Sequence, residues 1–232
     1  MVFFHNRLFN KGRKISYSQC GEDLIVDFIM SNCLHLSNLS YLDIGAYHPT
    51  FINNTYLLYQ KGASGVCVEP DPDLCGLIKR TRNRDICLNV GVGFASRKKA
   101  DFYMMSCKTL STFSEEEAKR YQGYGTHKIE KVVQIPIMTI NDVILQYFPS
   151  QPNFISIDTE GLELDILKVF DFLNFGPHVF CVETLTYTED KTETKRIDII
   201  DLMRANGYFV YADTWINTIF VNTRSWKKRP VR

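Results

Sequence analysis

The chain has 232 residues, of which 45% are hydrophobic and 23% charged, and its formal net charge is +1. That length and composition suit one α/β domain whose core needs no disulfides. The near-zero charge speaks against broad nucleic-acid binding. No run of about 18 apolar residues is present to span a membrane. The opening MVFFHNRLFNKGRK is too short and too charged for a signal peptide.

Residues 21–34 carry Leu24, Ile25, Phe28 and Ile29 at helical spacing, with Glu22 and Asp23 near the start. They belong to an expected N-terminal helical segment, 1–38. A first strand covers 40–45 and ends in Asp43, Ile44, Gly45 and Ala46. Asn53 or Asn54 can cap a helix to about residue 61, where Gly62 stops it. A second strand runs from Gly65 to Glu69. A helix from Asp73 to about Arg82 follows, with Pro72 at its entry. The third strand is read as Ile86 to Val92.

Residues 94–138 break this rhythm and read as a lid-like insertion or, equally, a plain β-hairpin decoration. Two charged strand-like pieces, 98–104 and 129–135, flank SEEEAKRYQGYG. In it, Ser114 and Glu117 have capping-box spacing, and Gly123 and Gly125 make a flexible exit. An insertion above the ligand end of a sheet is a usual place for a substrate-selecting loop. Thr139 then opens a helix to about Phe148, which Pro149 closes. A fourth strand runs from Asn153 to Asp158, and a helix from Gly161 to Leu173. A fifth strand runs from His178 to Glu183, and a helix covers 191–206. Two last strands, Tyr208 to Tyr211 and Trp215 to Val221, form a hairpin.

Alternating strands and helices predict a doubly wound, mostly parallel sheet with its strand C-termini along one edge, where ligands gather. Four of those ends carry acids: Asp43, Glu69, Asp158 and Glu183. Glu69 follows Asp43 at near the roughly 20-residue offset of a ribose-binding carboxylate. The G-x-G-x-x-G that cradles pyrophosphate is missing, because Gly45 is followed by Ala46, Tyr47, His48 and Pro49. A cofactor with a ribose and no pyrophosphate fits, and S-adenosylmethionine is the common one. The seven cysteines have no C-x-x-C pair, which argues against a zinc site of that kind. Their odd number points to a reducing cytosol. The basic clusters, Lys79, Arg80, Arg82 and Arg84 among them, read as solvated surface.

Three further segments complete a pattern: SQCGED at 18–23, SIDTEGLE at 156–163 and Val182-Glu183. With LDIGAYHPT, NNTYLLYQKG and VEPDP they resemble the FkbM-type family of S-adenosylmethionine-dependent methyltransferases, over roughly residues 16–185. The resemblance implies a class I methyltransferase fold, a seven-stranded Rossmann-like sheet with an antiparallel strand in its C-terminal hairpin. It also implies methyl transfer to a hydroxyl of a sugar or other small metabolite.

On that footing, Asp43, Gly45 and Ala46 are expected to hold the methionine end of the cofactor, and Glu69 the ribose. Pro70 and Asp71 border the adenosine, Asn89 meets the adenine side, and Gln19 closes over the cofactor. Asp158 is the first active-site candidate. His48, whose imidazole titrates near neutrality, is the second candidate base. Glu160 and Glu163 are expected to face solvent or a helix start. Asp158 with Glu183 can also bind Mg²⁺, which prefers carboxylates. Ser111, Thr112, Phe113, Tyr121, Tyr124 and His127 are candidate substrate contacts, with surface tyrosines in a loop as the plainer reading.

The function expected is O-methylation of a sugar or nucleotide-linked sugar in surface-polysaccharide synthesis, in the cytoplasm. Rival readings are an RNA methyltransferase, a nicotinamide-dependent oxidoreductase and a nucleoside-binding module without turnover. The charge weighs against the first and the missing glycines against the second. Oligomeric state is not legible.

Overall fold

The computed structural model describes residues 14–95 and 97–230. The first third of the expected helical segment 1–38 therefore lies outside the described residues. Seven strands form the main sheet: β1 (Ser40–Ile44), β2 (Ser64–Val68), β3 (Ile86–Leu88), β7 (Phe154–Ile157), β8 (Val179–Glu183), β9 (Tyr208–Asp213) and β10 (Asn217–Asn222). Their order is β3-β2-β1-β7-β8-β10-β9. All neighbouring pairs from β3 to β8 are parallel, and β10 runs antiparallel to both β8 and β9. The chain winds outward from β1 to β3, then returns to β7 beside β1. The gap between the C-terminal ends of β1 and β7 is thus the topological switch point.

The inner strands are short apolar runs because both faces are covered. Leu42 and Ile44 of β1 join one core with Ile155 and Ile157 of β7. Two helices cover that face: α5 (Ile140–Tyr147) through Val143 and Ile144, and α8 (Ile197–Ala205) through Ile199 and Met203. Tyr41 points to the opposite face, where helix α1 (Glu22–Asp27) supplies Val26 and α2 (Tyr56–Gln60) supplies Leu58. Each such fully buried side chain contributes about 1.5–3 kcal/mol. The C-terminal hairpin is tied to α1 by a buried carboxylate: Glu22 Oε1 accepts from Thr214 Oγ1 at 2.6 Å and from Asn217 Nδ2 at 3.2 Å.

Several boundaries differ from the sequence expectation. The third strand, expected over 86–92, is two strands in two sheets. β3 stops at Leu88, and β4 (Gly91–Gly93) pairs with β6 (Ile129–Thr139) in a three-stranded sheet completed by β5 (Arg97–Met105). The break falls at Asn89, whose Nδ2 donates to the carbonyls of Glu69 and Pro70 at 3.0 and 2.8 Å. Helix α1 continues as a π-helix, Phe28–Cys33. The helix expected over 161–173 is divided into α6 (Glu163–Lys168) and α7 (Phe172–Phe175), and the one expected over 191–206 begins only at Ile197. Capping expectations hold: Ser114 Oγ accepts from Glu117 N at the start of α4 (Glu115–Gly123), and Thr139 caps α5. In α3 (Pro72–Thr81), Asp71 caps the helix and Pro72 opens it.

Arg82 corrects the reading of its cluster as solvated surface. Its side chain is fully buried and ion-paired to Asp85 at 2.7 Å.

Candidate active site

A cavity of about 360 Å³ opens at the switch point, within the usual size of a small-molecule site. Its walls come from the ends of β1, β2, β7 and β8, the turn before β10, β4, and Phe102 of β5 with residues 108–113 of the segment that follows β5. The β1 wall is possible only with glycine at 45. A Cβ there would lie 1.7 Å from the Asp158 carbonyl oxygen, and Gly45 has φ +76°. Three non-glycine residues in the left-handed region, Tyr47 (φ 52°), Ile52 (φ 48°) and Glu160 (φ 55°), also border the cavity. Such conformations cost of order 1–3 kcal/mol and cluster at functional sites.

Glu69 directly follows β2 and faces the cavity while being 4% exposed. Its Oε2 accepts from Tyr47 N at 2.7 Å and its Oε1 from Asp71 N at 2.8 Å. Burial pushes its carboxyl up to about 8, against the pull of those two N–H donors. Each oxygen keeps a lone pair for a further donor, since a carboxylate offers about four acceptor positions. Beyond Asp71, Lys108 reaches back from the second sheet and pairs with its Oδ2 at 3.0 Å.

The opposite end of the cavity is acidic. Asp158 follows β7, Glu183 ends β8, and Glu160 lies between them in space. One oxygen from each falls within 4.8 Å of the others. Burial, then the nearby Glu163 and Asp43, push Asp158 up to about 7. Burial and the neighbouring acids raise Glu160 and Glu183 well above the carboxylate range. Three acids this close cannot all ionise together, so the cluster retains protons at neutral pH.

Gln19, Gly45, Glu69, Pro70, Asp158 and Glu183 all line this cavity. Four expected residues stand outside its wall. Asp43 is turned beneath the sheet, where its Oδ2 accepts from Thr55 Oγ1 at 2.6 Å. Ala46 is buried against Cys67, Cys75 and Cys87. His48 Nδ1 accepts the N–H groups of Thr50 and Phe51 at 3.3 and 3.2 Å, which occupies that nitrogen in ordering its own loop. Asn89 ties down the Glu69–Pro70 backbone. Of the expected substrate contacts, Ser111 and Phe113 line the wall. Tyr121 is 1% exposed, so the surface-loop reading does not hold for it; its hydroxyl donates to Glu160 Oε2 at 3.0 Å.

One expectation is corrected: Glu160 faces the cavity instead of solvent, because its left-handed backbone swings it inward and Thr112 Oγ1 holds its carbonyl at 2.9 Å. Glu163 takes the helix-start alternative and is 3% exposed: in the first turn of α6, its Oε1 accepts from Thr159 N at 2.7 Å and its Oε2 from Gly161 N at 3.1 Å. Sequence reasoning also missed Tyr47, Lys108, Leu185, Tyr187 and Ile216 in the wall. The Glu-Gly pair just past an apolar strand was the available signal for a turned-in Glu160.

Sheet order, the antiparallel β10 and a cavity at the β1/β7 switch point define a class I methyltransferase fold, the fold of S-adenosylmethionine-dependent methyl transfer. The chain matches the Methyltransferase FkbM domain over residues 43–210, and it belongs to that family. Among solved structures it is similar to a TehB-like SAM-dependent methyltransferase from Corynebacterium glutamicum, at 10% identity and TM-score 0.44, covering 94% of each chain. It is also similar to the sugar N-methyltransferase KedS8 from Streptoalloteichus, at 9% identity and TM-score 0.46, covering 94% of this chain and 92% of that one. A third is 1,6-didemethyltoxoflavin-N1-methyltransferase from Burkholderia thailandensis with S-adenosylhomocysteine bound, at 10% identity and TM-score 0.42, covering 95% and 85%. No curated protein matches. Among the described residues, no helix is long and apolar enough to cross a membrane.

Proposed function

We propose that this methyltransferase acts on oxygen, and that its acceptor is a hydroxyl of a sugar or nucleotide-linked sugar used in surface-polysaccharide synthesis. One observation carries the oxygen reading: Asp158, at the edge of β7 and beside Gly45, is pushed up to about 7. A carboxylate so tuned is a general base matched to neutral pH. S-adenosylmethionine supplies the electrophilic methyl when bound. Glu69 takes its ribose hydroxyls, Gly45 gives its methionine portion room, and Pro70 with Asp71 borders the adenosine. Gln19 covers the cofactor from the N-terminal side. Asp158 then removes the acceptor's proton, with Glu183 beside it in the acid cluster. Fixing the hydroxyl in line with a bound methyl donor would lower the barrier by several kcal/mol. The insertion over 94–138 selects the acceptor, with Ser111 and Phe113 facing it.

A second reading is favoured by the three converging carboxylates. All-oxygen donors suit Mg²⁺, which Asp158, Glu160 and Glu183 would hold and which would acidify the acceptor hydroxyl. The two readings part under a chelator: turnover unchanged by EDTA supports the proton-transfer reading, and loss restored by Mg²⁺ supports the metal.

The deciding experiment is a thermal shift with S-adenosylhomocysteine, followed by methyl-transfer assays on free and nucleotide-linked sugars and on the corresponding amino sugars. Transfer to a hydroxyl acceptor is the expected result. Transfer confined to amines, or to structured RNA offered in parallel, overturns the reading.

A further inference from the structure

Directly beneath the first cofactor turn lies a buried polar network that no part of the chemistry above uses. Its centre is Arg82, 0% exposed, with Asp43, Asn53 and Thr55 at 3%, 2% and 0%. The guanidinium has a partner at every nitrogen. Nε donates to Asp85 Oδ2 at 2.7 Å, Nη1 to Asn53 Oδ1 at 3.1 Å, and Nη2 to Tyr41 Oη and Thr55 Oγ1, both at 2.8 Å. Thr55 Oγ1 donates a hydrogen bond to Asp43 Oδ2 at 2.6 Å, and Asn53 Nδ2 donates to Asp43 Oδ2 at 3.2 Å.

The same Asn53 Nδ2 donates to the Ala46 carbonyl at 3.0 Å. The other side of that one peptide group, the Tyr47 N–H, donates to Glu69 Oε2. The Ala46–Tyr47 peptide is therefore gripped from both sides, by the Arg82 network below and by the ribose carboxylate above. Tyr47 needs such a grip, since its backbone is left-handed at φ 52°. Asn53 itself cannot rotate: Oδ1 also accepts the N–H groups of Thr55 and Tyr56 at 3.0 and 2.8 Å. A planar, five-donor fork can bind Asn53, Thr55, Tyr41 and Asp85 together, and a lysine ammonium cannot.

We infer that Arg82 is a positioning residue for cofactor recognition, setting the Glu69 carboxylate through Asn53 and the Ala46–Tyr47 peptide without touching the ligand. This rests on the cofactor reading above. Buried networks of this kind rigidify what they hold when every member is satisfied.

The test measures calorimetric affinity of the full chain for S-adenosylhomocysteine and for its 2′-deoxy and 3′-deoxy ribose analogues. Arg82→Lys keeps the charge and loses the fork. Thr55→Val removes one hydroxyl from the network. Ile199→Val lightens α8 in the core on the other face of the sheet and serves as the stability control. Arg82→Lys is expected to weaken S-adenosylhomocysteine about tenfold, the middle of the range for residues coupled in one network. It should also narrow the ratio between the ribose ligand and its deoxy analogues. Ile199→Val should lower the melting midpoint and leave affinity within about twofold. A purely structural Arg82 would weaken all three ligands equally or none, and that result overturns the inference. Should Arg82→Lys fail to fold, Thr55→Val decides by the same ratio. Wild-type protein that binds none of the ligands sinks the cofactor reading itself, a separate outcome.

Discussion

Replacing Glu69 by Ala removes the carboxylate proposed to hold the cofactor ribose. Its two oxygens each accept one backbone N–H and are 2.7 and 2.8 Å from those nitrogens, which leaves one lone pair per oxygen for a hydroxyl. A hydrogen bond to a neutral carboxyl contributes about 0.5–1.5 kcal/mol and one to a carboxylate about 1.5–3 kcal/mol, and a group pushed up to about 8 samples both forms near neutrality. The site is 4% exposed, so little water competes for those lone pairs. A loss of about 1–3 kcal/mol corresponds to a Kd for S-adenosylhomocysteine raised roughly five- to 150-fold. Glu69→Gln keeps one carbonyl acceptor and is expected to fall between wild type and Ala. Titration calorimetry reads both, with circular dichroism confirming that the variants fold. Unchanged affinity in a folded Glu69→Ala protein would refute the ribose assignment.

Asp158→Asn is expected to lower turnover by about 10²–10⁴ while shifting cofactor affinity little, as for loss of a general base; equal losses in both would make it a binding residue. The apo protein should become less stable as pH rises. Glu69 and Asp158 have ordinary values of 4.5 and 3.8 that folding raises to about 8 and about 7, so the folded state binds more protons throughout that window. Their stabilisation is complete at the acid end and lost toward pH 8. Melting curves in which Asp158→Asn fails to flatten this slope would contradict it. Gly45→Ala should destabilise by more than about 1 kcal/mol, because both the φ and the Asp158 carbonyl forbid a Cβ. A melting midpoint equal to wild type would show that the β1/β7 edge is looser than described.

Much of the sheet was legible because its strands are bounded apolar runs and its helices carry explicit caps, as at Ser114 and Thr139. The strand break at Asn89 was not, because one Asn within Ile-Cys-Leu-Asn-Val-Gly-Val also fits a strand with a polar residue on one face, while its side-chain bonds to the Glu69 and Pro70 carbonyls come from a distant segment. Arg82 was hidden for a related reason. Its sequence neighbours are basic, while its partners Tyr41, Asn53 and Thr55 are distant along the chain. In the site, the strand-end acids Glu69, Asp158 and Glu183 followed from topology alone. Asp43 did not behave like them, because alternation along β1 points it below the sheet. Glu160 required a backbone conformation that no periodicity reports.

The tie between Glu22 and the C-terminal hairpin bears on the ligand cleft. Glu22 is 0% exposed, and two of its hydrogen-bond donors, Thr214 and Asn217, lie some 190 residues later in the chain. The carboxylate therefore couples the seating of α1 to the C-terminal hairpin across most of the chain, since removing those donors would leave the Oε1 side of a buried charge unpaired. Gln19, three residues ahead of it, lines the cavity, so disorder in the hairpin would reach the ligand cleft through one buried acid.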